Sequence, residues 1–592
     1  MQLLSFILIF FASSLINSTA QTKSWIRINQ LGYLNNSVKN AVFVSKEDLT
    51  IGYFEIVDDN EKIVFTGTDV KSFGNYGAFK STFRLNFSMF NISGVFKIKA
   101  GEIESPSFKI SPDVYDGTAD FVLQYMRQQR CGYNPFLKDS CHTYDGFIVD
   151  HPTRTGEHID VTGGWHDAAD YLQYLTTSAT AAYQMMFAYK MNPNAFGDYF
   201  EANGNKGENG IPDILDEAKW GLDWLNKMNP EKNVMFNQIA DDRDHAGFRL
   251  PNYDSVNYGK NLERPVYFIT GNKQGICNHK NRTTGVSSSA AKYASAFALG
   301  AELMKIYYPE FSSIIKEKAF DAYEFAKSDL GVCQTTSCKS PYFYEEDNYI
   351  DDLELAAAQL FTLSNEAKYL TEAIEWGKVE PVTPWMGTDT MRHYQWYPFL
   401  NLGHVNIIKS NPENILIKKY LREGLNKIFK RGNENPFNIG IPFIWCSNNL
   451  VSAAVTQSHL YRKMTGDSTF SEMEAALLDW LFGCNPWGTS MVVGLPADGD
   501  YPQDPHSSLW IKENYLTTGG LVDGPIYSTI FNYLEYLKIV NGDEYEEFQS
   551  REHVYHDDYG DYSTNEPTMD GTASLTYILS ALQQEGSRLK IK

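Results

Sequence analysis

From about residue 118 onward the chain repeats apolar residues at helical spacing, about ten to twelve times over. Examples are ADFVLQYMRQQR, YLQYLTTSATAAYQMMFAYKM, IPDILDEAKWGLDWLNKM, SSSAAKYASAFALGAELMKIYY and GTASLTYILSALQQE. Recurrence at i, i+3 and i+4 marks one face of a helix. Many of the segments are alanine-rich on one side, which lets helices pack closely. No fixed repeat period is visible, so a regular solenoid is disfavoured. An even number of antiparallel helices, joined by loops of uneven length and without intervening strands, predicts an α/α toroid or a helical array. In a toroid, the long loops at one end build the site.

Residues 24–112 read differently. AVFVSK, IGYFEIVD, KIVFTGT, STFRLNFS and GVFKIKAGEIESPSFKIS are short β-rich runs separated by Gly, Asn and Asp. Their spacing predicts a small β-sandwich. SPDVYDG (111–117) is a natural linker, so the helical domain is expected over 118–592. Residues 1–20, MQLLSFILIFFASSLINSTA, read as a signal peptide with the mature start at Gln21. Their first residues lack Lys and Arg, a departure from that pattern. No Cys follows the apolar run, so no lipid anchor is indicated. No later stretch is long and apolar enough to span a bilayer. The chain is expected to be exported, to the periplasm or outside the cell.

With 592 residues and 43 % of them hydrophobic, the chain can bury a large core. A net charge of −22 repels phosphate backbones and argues against nucleic acid as a partner. It leaves neutral glycans open and would attract a cationic one. The 37 Tyr, 36 Phe and 11 Trp suit either a large helical core or a groove that stacks on sugar rings. Seven cysteines leave at least one unpaired. The close pairs Cys131/Cys141 and Cys333/Cys338 could form small disulfide loops, and no spacing resembles a zinc site. No nucleotide or redox cofactor motif is present.

Four constellations could carry chemistry. In HIDVTGGWHDAADYLQYL (158–175), Asp167 and Asp170 are three residues apart and would share a face near a helix start. Taken alone, an acidic helix cap is the stronger reading of the pair. Gly163 and Gly164 allow close backbone approach, and Trp165 sets a flat aromatic ring beside the acids. In YHDDYGDYSTNEPTMDG (555–571) stand Asp557, Asp558, Asp561, Glu566 and Asp570. Pro567 biases Glu566 to an extended conformation, at a loop's end where a side chain can enter a cleft. His506 lies in a Gly- and Pro-rich loop (481–510). In EEDNYIDDLELAAAQLF (345–361), acids that include Asp351 and Asp352 either cap the following helix, the preferred reading, or give a structural calcium ion its oxygen ligands.

Taken in order along the chain, these blocks resemble glycoside hydrolase family 9. DVTGGWHDAADYLQYL is similar to its D-x-x-G-G-W-x-D-A-G-D, with Ala169 in place of the second Gly. DDLELAAAQLF resembles its D-E-L-x-W-A-A-A-W-L-Y. FGCNPWGTSMVVG (482–494) resembles L-G-x-N-P-x-G-x-S-x-V-x-G. GGLVDGP (519–525) is similar to G-x-L-V-G-G-P, and YHDDYGDYSTNE fits an Asp followed by D-Y-x-x-N-E.

The resemblance implies an (α/α)6 barrel preceded by an immunoglobulin-like domain, and an enzyme that hydrolyses glycosidic bonds with inversion and no required cofactor. It implies Asp170 as the base that activates water, Asp167 as its partner on that water, and Glu566 as the general acid. Asp557 would shape the site, while Tyr562 and Trp165 would line it and His506 would bind substrate. The expected activity is that of an endo-acting β-1,4-glucanase on cellulose-like, mixed-linkage or xyloglucan chains. The alternatives are an exo-acting member, for example one releasing glucosamine from chitosan oligosaccharides, and a non-catalytic glycan-binding protein. Three features depart from the pattern: PHSS stands where the family commonly reads P-H-H-R, and Pro567 and Thr572 follow Glu566.

Overall fold

The computed structural model describes residues 23–340 and 344–590. The leader-like residues 1–20 lie outside them. Nine antiparallel strands come first: β1 (Ser24–Arg27), β2 (Asn40–Ser45), β3 (Phe54–Asp58), β4 (Ile63–Gly67), β5 (Val70–Ser72), β6 (Ser81–Asn86), β7 (Gly94–Ala100), β8 (Ile103–Glu104) and β9 (Phe108–Ile110). They form a sheet in the order β1-β2-β6-β5 and a second in the order β4-β3-β7-β8, with β9 added to β7. Along β7, Phe96, Ile98 and Ala100 point inward and Val95, Lys97 and Lys99 outward, the period-2 pattern of a sheet with one wet face.

Strand β2 breaks that rule, because all six of its residues are buried. Ala41 and Phe43 enter the sandwich core with Phe83 and Ile98. Val42 and Val44 point the other way, into the core of the helical domain. One strand thus belongs to two cores.

The helical domain contains α1 (Thr118–Gln128), α2 (Leu175–Met191), α3 (Asp213–Met228), α4 (Ser287–Met304), α5 (Pro309–Ser328), α6 (Ile350–Ser364), α7 (Ala367–Val379), α8 (Leu402–Ser410), α9 (Ile415–Gly432), α10 (Ser447–Thr465), α11 (Ser471–Leu481), the short α12 (Ser508–Glu513) and α13 (Ser528–Phe531), and α14 (Met569–Lys590). Six of them pack in a closed ring: α2 on α4, α4 on α6, α6 on α8, α8 on α10, α10 on α14, and α14 back on α2. Helices α1, α3, α5, α7, α9 and α11 pack outside that ring, which makes an (α/α)6 barrel.

Composition follows position. Inner α4 is buried almost all round, and its alanines, serines and Gly300 permit close approach; a Cβ at Gly300 would stand 2.7 Å from Leu222 Cδ1. Outer α5 buries a single stripe that includes Ser312, Ile315, Ala319, Ala322, Tyr323 and Ala326. Lys292 of α4 joins Asp352 of α6 at 2.7 Å near the start of both helices.

Two expectations need correction here. The loops carry a small mixed sheet in which Phe147–Val149, Pro265–Phe268, Phe236–Ile239 and Gln173–Tyr174 lie side by side. These strands have two to four residues, too few for a period to show in the sequence. The disulfide pairs Cys277 with Cys338, whereas Cys131, Cys141 and Cys333 are free and buried. Pairing followed the fold rather than nearness in the chain.

The sandwich is fastened to the barrel by polar groups as well as by β2. Asn29 Nδ2 donates to Asp479 Oδ1 at 2.8 Å, the Gln30 N–H donates to the Phe482 carbonyl, and the Arg84 guanidinium donates to the Asn435 and Pro436 carbonyls. Asp479 is 3 % exposed, and its Oδ2 has no hydrogen-bond partner. Burial pushes its carboxyl up to about 8, against the opposing pull of the Asn29 amide. An unfolded Asp titrates near about 3.9, so between those values the folded chain holds a proton that the unfolded chain has released. This group's stabilisation is therefore complete below about pH 4 and is lost as pH rises toward 8, at up to about 1.4 kcal/mol per pH unit. Asp479→Asn should flatten the fall of the melting temperature between about pH 5 and 8. Melting curves of the variant that follow the wild-type slope would refute this.

Candidate active site

Three long loops meet at the end of the barrel where α2, α10 and α14 begin. The loop before α2 places Asp167, Ala169 and Asp170 outside the helix. Asp167 and Asp170 neither start nor cap it, because α2 begins at Leu175. The Asp167 N–H bonds to the Leu172 carbonyl at 3.0 Å, and Asp170 Oδ1 accepts the Leu172 N–H at 3.1 Å. A tight turn therefore holds both acids. Asp167 Oδ1 accepts the Thr177 hydroxyl, in the first turn of α2, at 2.6 Å. Helix N-termini carry positive partial charge, which suits carboxylates.

Glu566 arrives from the loop before α14. Its Oε1 accepts the N–H of Ala169, between the two aspartates in sequence, at 2.9 Å. The N–H of Met569, the first residue of α14, donates to the Asp167 carbonyl at 3.0 Å. The structure thus brings Asp167, Asp170 and Glu566 together from opposite ends of the barrel domain. Burial and the neighbouring charges of Asp523 and Asp170 push the Glu566 carboxyl well above the ordinary carboxylate range. Burial and Asp570 push Asp167 up as well. His245 Nε2 lies 3.0 Å from Asp170 Oδ2. Burial opposes its charge, yet Asp170 raises its pKa overall.

The other acids of the late motif serve the loop itself. Asp557 accepts the N–H groups of Gln503 and Asp504 at 2.6 and 2.9 Å and the Asn565 amide at 3.0 Å. Burial nevertheless pushes it up to about 6. It ties the loop carrying His506 to the residue before Glu566. Asp558 accepts from Val540, Asn541 and Gly560, and Asp561 from Ser563, Thr564 and His556.

The His506 N–H donates to the Asn565 carbonyl, and its Nδ1 donates to the Tyr559 carbonyl at 2.6 Å. Burial lowers its pKa to about 4, so a neutral ring turns Nε2 as an acceptor. Tyr562 lies between His506 and Trp445, with centroids 6.2 and 5.6 Å away, and Trp445 stacks with His393 at 5.8 Å.

Trp165 does not line the site. Its ring is fully buried against Gly221, where a Cβ would stand 2.2 Å from it. Its Nε1 donates to Glu217 Oε1 at 2.9 Å, beside the buried Arg130–Glu217 ion pair. The tight Gly163-Gly164 turn causes this: a Cβ at Gly164 would stand 2.7 Å from Trp224 Cγ, so the backbone lies flat on that ring and sends Trp165 inward. Trp445 and Tyr562 supply the half-buried aromatic faces instead. Nothing in the sequence marked Trp445 or His245, which belong to no recognisable spacing.

The calcium reading of Asp351 and Asp352 also fails. Asp352 is paired with Lys292, which reaches Glu346 at 2.8 Å as well, and Asp351 accepts the Asn348 amide at 2.7 Å. A buried ammonium occupies the place a cation would take. Nor do these acids cap α6, whose N-cap is Tyr349, without a side-chain cap.

A metal-binding group lies elsewhere. Cys131, Cys141, His142 and His166 bring four ligand atoms within 4.8 Å of one another, the one such group among the described residues. Separations of 3.7 Å (Cys131 to His142), 3.8 Å (Cys141 to His166) and 3.3 Å (His142 to His166) match the edges of a tetrahedron with bonds of about 2.0–2.3 Å. The second ring nitrogen of His142 meets Asp254 at 3.0 Å, the carboxylate support usual for a ligating histidine. The Gly132–Asn134/Asp139–Cys141 hairpin pairs Gly132 with Cys141 and so gathers residues whose spacing showed no such pattern. His166 is adjacent to Asp167, so the group braces the same loop.

Comparison with known proteins agrees with the fold. The cellulase N-terminal ig-like domain family matches residues 21–105. A cellodextrinase of Butyrivibrio fibrisolvens is 26 % identical over 496 residues, covering 79 % of this chain and 84 % of its own. A xyloglucan-specific endo-β-1,4-glucanase of Bacteroides ovatus is 22 % identical over 605 residues, covering 94 % and 93 %. A metagenome-derived glycoside hydrolase family 9 endoglucanase superimposes with a TM-score of 0.75 at 24 % identity, over 95 % of this chain and 99 % of that one. A Zn-binding triple mutant of a family 9 endoglucanase does so with a TM-score of 0.74 at 23 % identity, over 93 % and 99 %. The glycosyl hydrolase family 9 model matches residues 115–579, the whole barrel up to the last turns of α14, and the chain belongs to that family.

Proposed function

We propose that the protein hydrolyses β-1,4-linked glucans by a single inverting displacement, with Glu566 as acid and Asp170 as base. The observation that carries this reading is the Glu566 carboxyl seated on the Ala169 N–H, beside Asp167 and Asp170. Glu566 gives its proton to the glycosidic oxygen as that bond breaks. Asp170 takes a proton from a water, whose oxygen attacks the anomeric carbon from the opposite face. Asp167, oriented by Thr177, holds the same water. Inversion needs acid and base about 6.5–9.5 Å apart, leaving room for that water.

The electrostatics suit the roles. Burial and its acidic neighbours push Glu566 well above the ordinary carboxylate range, which favours the protonated form that a general acid needs. The Asp170 carboxylate is oriented by the Leu172 N–H and by His245. Trp445 and Tyr562 offer stacking faces for glucosyl rings, and His506 Nε2 offers an acceptor to a sugar hydroxyl. The relatives named as cellodextrinase and xyloglucan-specific endo-glucanase support β-1,4-glucans as the substrate class. No helix among the described residues is long and apolar enough to cross a membrane. The leader-like residues 1–20 and the Cys277–Cys338 disulfide support action outside the cytoplasm.

The test is hydrolysis of cellulose-like, mixed-linkage and xyloglucan chains by residues 21–592. New reducing ends would be counted, and the anomer first released would be followed by NMR. The α-anomer should appear first, and Glu566→Gln and Asp170→Asn should each lower kcat by about 10²–10⁴ on unactivated glycans. A β-anomer first, or full activity in either variant, refutes the mechanism. The product sizes separate endo from exo cleavage.

We further propose that Cys131, Cys141, His142 and His166 hold a structural zinc ion. Its role would be to fix the loop that carries Asp167, with no open position and no part in the displacement. Protein isolated without chelator should contain about one zinc per chain, and Cys131→Ser should lose it and melt at a lower temperature. A zinc-free protein with the same melting temperature would disprove it.

A further inference from the structure

Asp523 stands across from Glu566. Leu521 and Val522 pair antiparallel with Thr568 and Pro567. The Asp523 N–H donates to the Glu566 carbonyl at 2.9 Å, so the register runs on by one residue and makes the two acids cross-strand neighbours. Opposed residues carry their Cβ atoms about 4.5–5.5 Å apart on one face of a ladder, and like charges there repel. Asp523 is fully buried. Its Oδ1 accepts the Cys446 thiol at 3.1 Å, and the Trp445 indole faces it, but Oδ2 has no partner. In the motif that GGLVDGP resembles, glycine takes this position, so the carboxylate is an addition.

We propose that Asp523 is a positioning residue for proton donation: set across the ladder from Glu566, it makes the two carboxyls hold one proton between them, so that the donor stays loaded to a higher pH than it would without that neighbour. This rests on Glu566 as the acid. Two like charges this close titrate as a pair, and the second proton leaves only at raised pH.

The charges around the pair act in the same direction. Glu566 also faces Asp170 and Asp167 from the loop before α2, Tyr125 from α1, and Tyr344 and Tyr562. Asp523 faces Asp570 and Asp561. His245 sits on Asp170, which raises its pKa against the opposing effect of burial. Of the charges acting on Glu566, that of Asp523 is the largest. Cys446 adopts φ 57° at the start of α10, which presents its thiol to Asp523 as a donor rather than a charge.

The test is the pH dependence of kcat/KM on a cello-oligosaccharide for the wild type, Asp523→Asn, Asp523→Glu and Cys446→Ala. Removing the negative neighbour lets Glu566 release its proton more easily. Asp523→Asn should therefore move the alkaline limb down by about one pH unit or more, a loss of about tenfold at a pH on the wild-type limb. Asp523→Glu should keep the limb. Cys446→Ala removes the donor that favours the Asp523 anion, so the shared proton moves from Glu566 toward Asp523: kcat/KM should fall on the plateau while the limb stays in place or moves up, and this keeps the idea testable if Asp523→Asn does not fold. A merely structural Asp523 would change melting temperature or KM and leave the limb in place; that result overturns the proposal. Glu566→Gln separates the two readings. If it abolishes the alkaline limb while Asp523→Asn leaves the limb unmoved, Asp523 alone is wrong. If it retains the limb, Glu566 is not the donor and both fall.

Discussion

The seam where α14 packs back on α2 closes the ring of inner helices, and the site is built on it. Without closure, residue 167 and residue 566 would belong to opposite ends of the domain. With it, the Met569 N–H reaches the Asp167 carbonyl and Glu566 reaches the Ala169 N–H. Both bonds involve backbone groups, so they fix where the loops lie as well as where two side chains point. A hydrolase that must hold acid and base across a gap needs such placement, because a small error in separation costs rate steeply.

The same closure crowds carboxyl groups. Asp167, Asp170, Asp523, Glu566 and Asp570 gather where α2, α10 and α14 begin, with His245 against Asp170. Buried like charges destabilise a fold, and several of these groups are pushed toward their protonated forms. Helix N-termini offset part of this repulsion, and shared protons offset more. For a reaction that needs one carboxylic acid and one carboxylate at the same pH, such crowding is useful, because different surroundings push the pKa values of like groups apart.

Much of this was legible in the sequence, for reasons that also show where reading stops. Period-2 runs such as GVFKIKA became strands, and alanine-rich helical repeats such as SSSAAKYASAFALG became inner helices, because burial on one face or all round leaves a mark on composition. The three acids stood in motifs whose spacing is local. Trp165 stood in a motif too, but its direction depends on a turn pressed against Trp224, and sequence spacing does not encode that. The Cys131 group, His245 and the Lys292–Asp352 pair join residues distant in the chain. Such encounters are decided by packing, and no local pattern announces them. Asp351 and Asp352 left a calcium site open beside the preferred helix cap, because the lysine that pairs with Asp352 lies two helices earlier.

The sandwich belongs to this account of placement. Strand β2 gives Val42 and Val44 to the barrel's core, so the sandwich cannot move independently without opening apolar surface. Next to it, Gln30 donates to the Gly488 carbonyl at 2.8 Å and accepts the Asp500 N–H at 2.7 Å. Three residues on, Asp557 accepts the Gln503 N–H, and six residues on stands His506, whose own N–H reaches Asn565 beside Glu566. Hydrogen bonds thus anchor the loop of 482–507 at two places, to the sandwich at Gly488 and Asp500 and to Asp557 and Asn565 at Gln503 and His506. The sandwich therefore holds one end of the segment whose other end Asp557 and Asn565 hold.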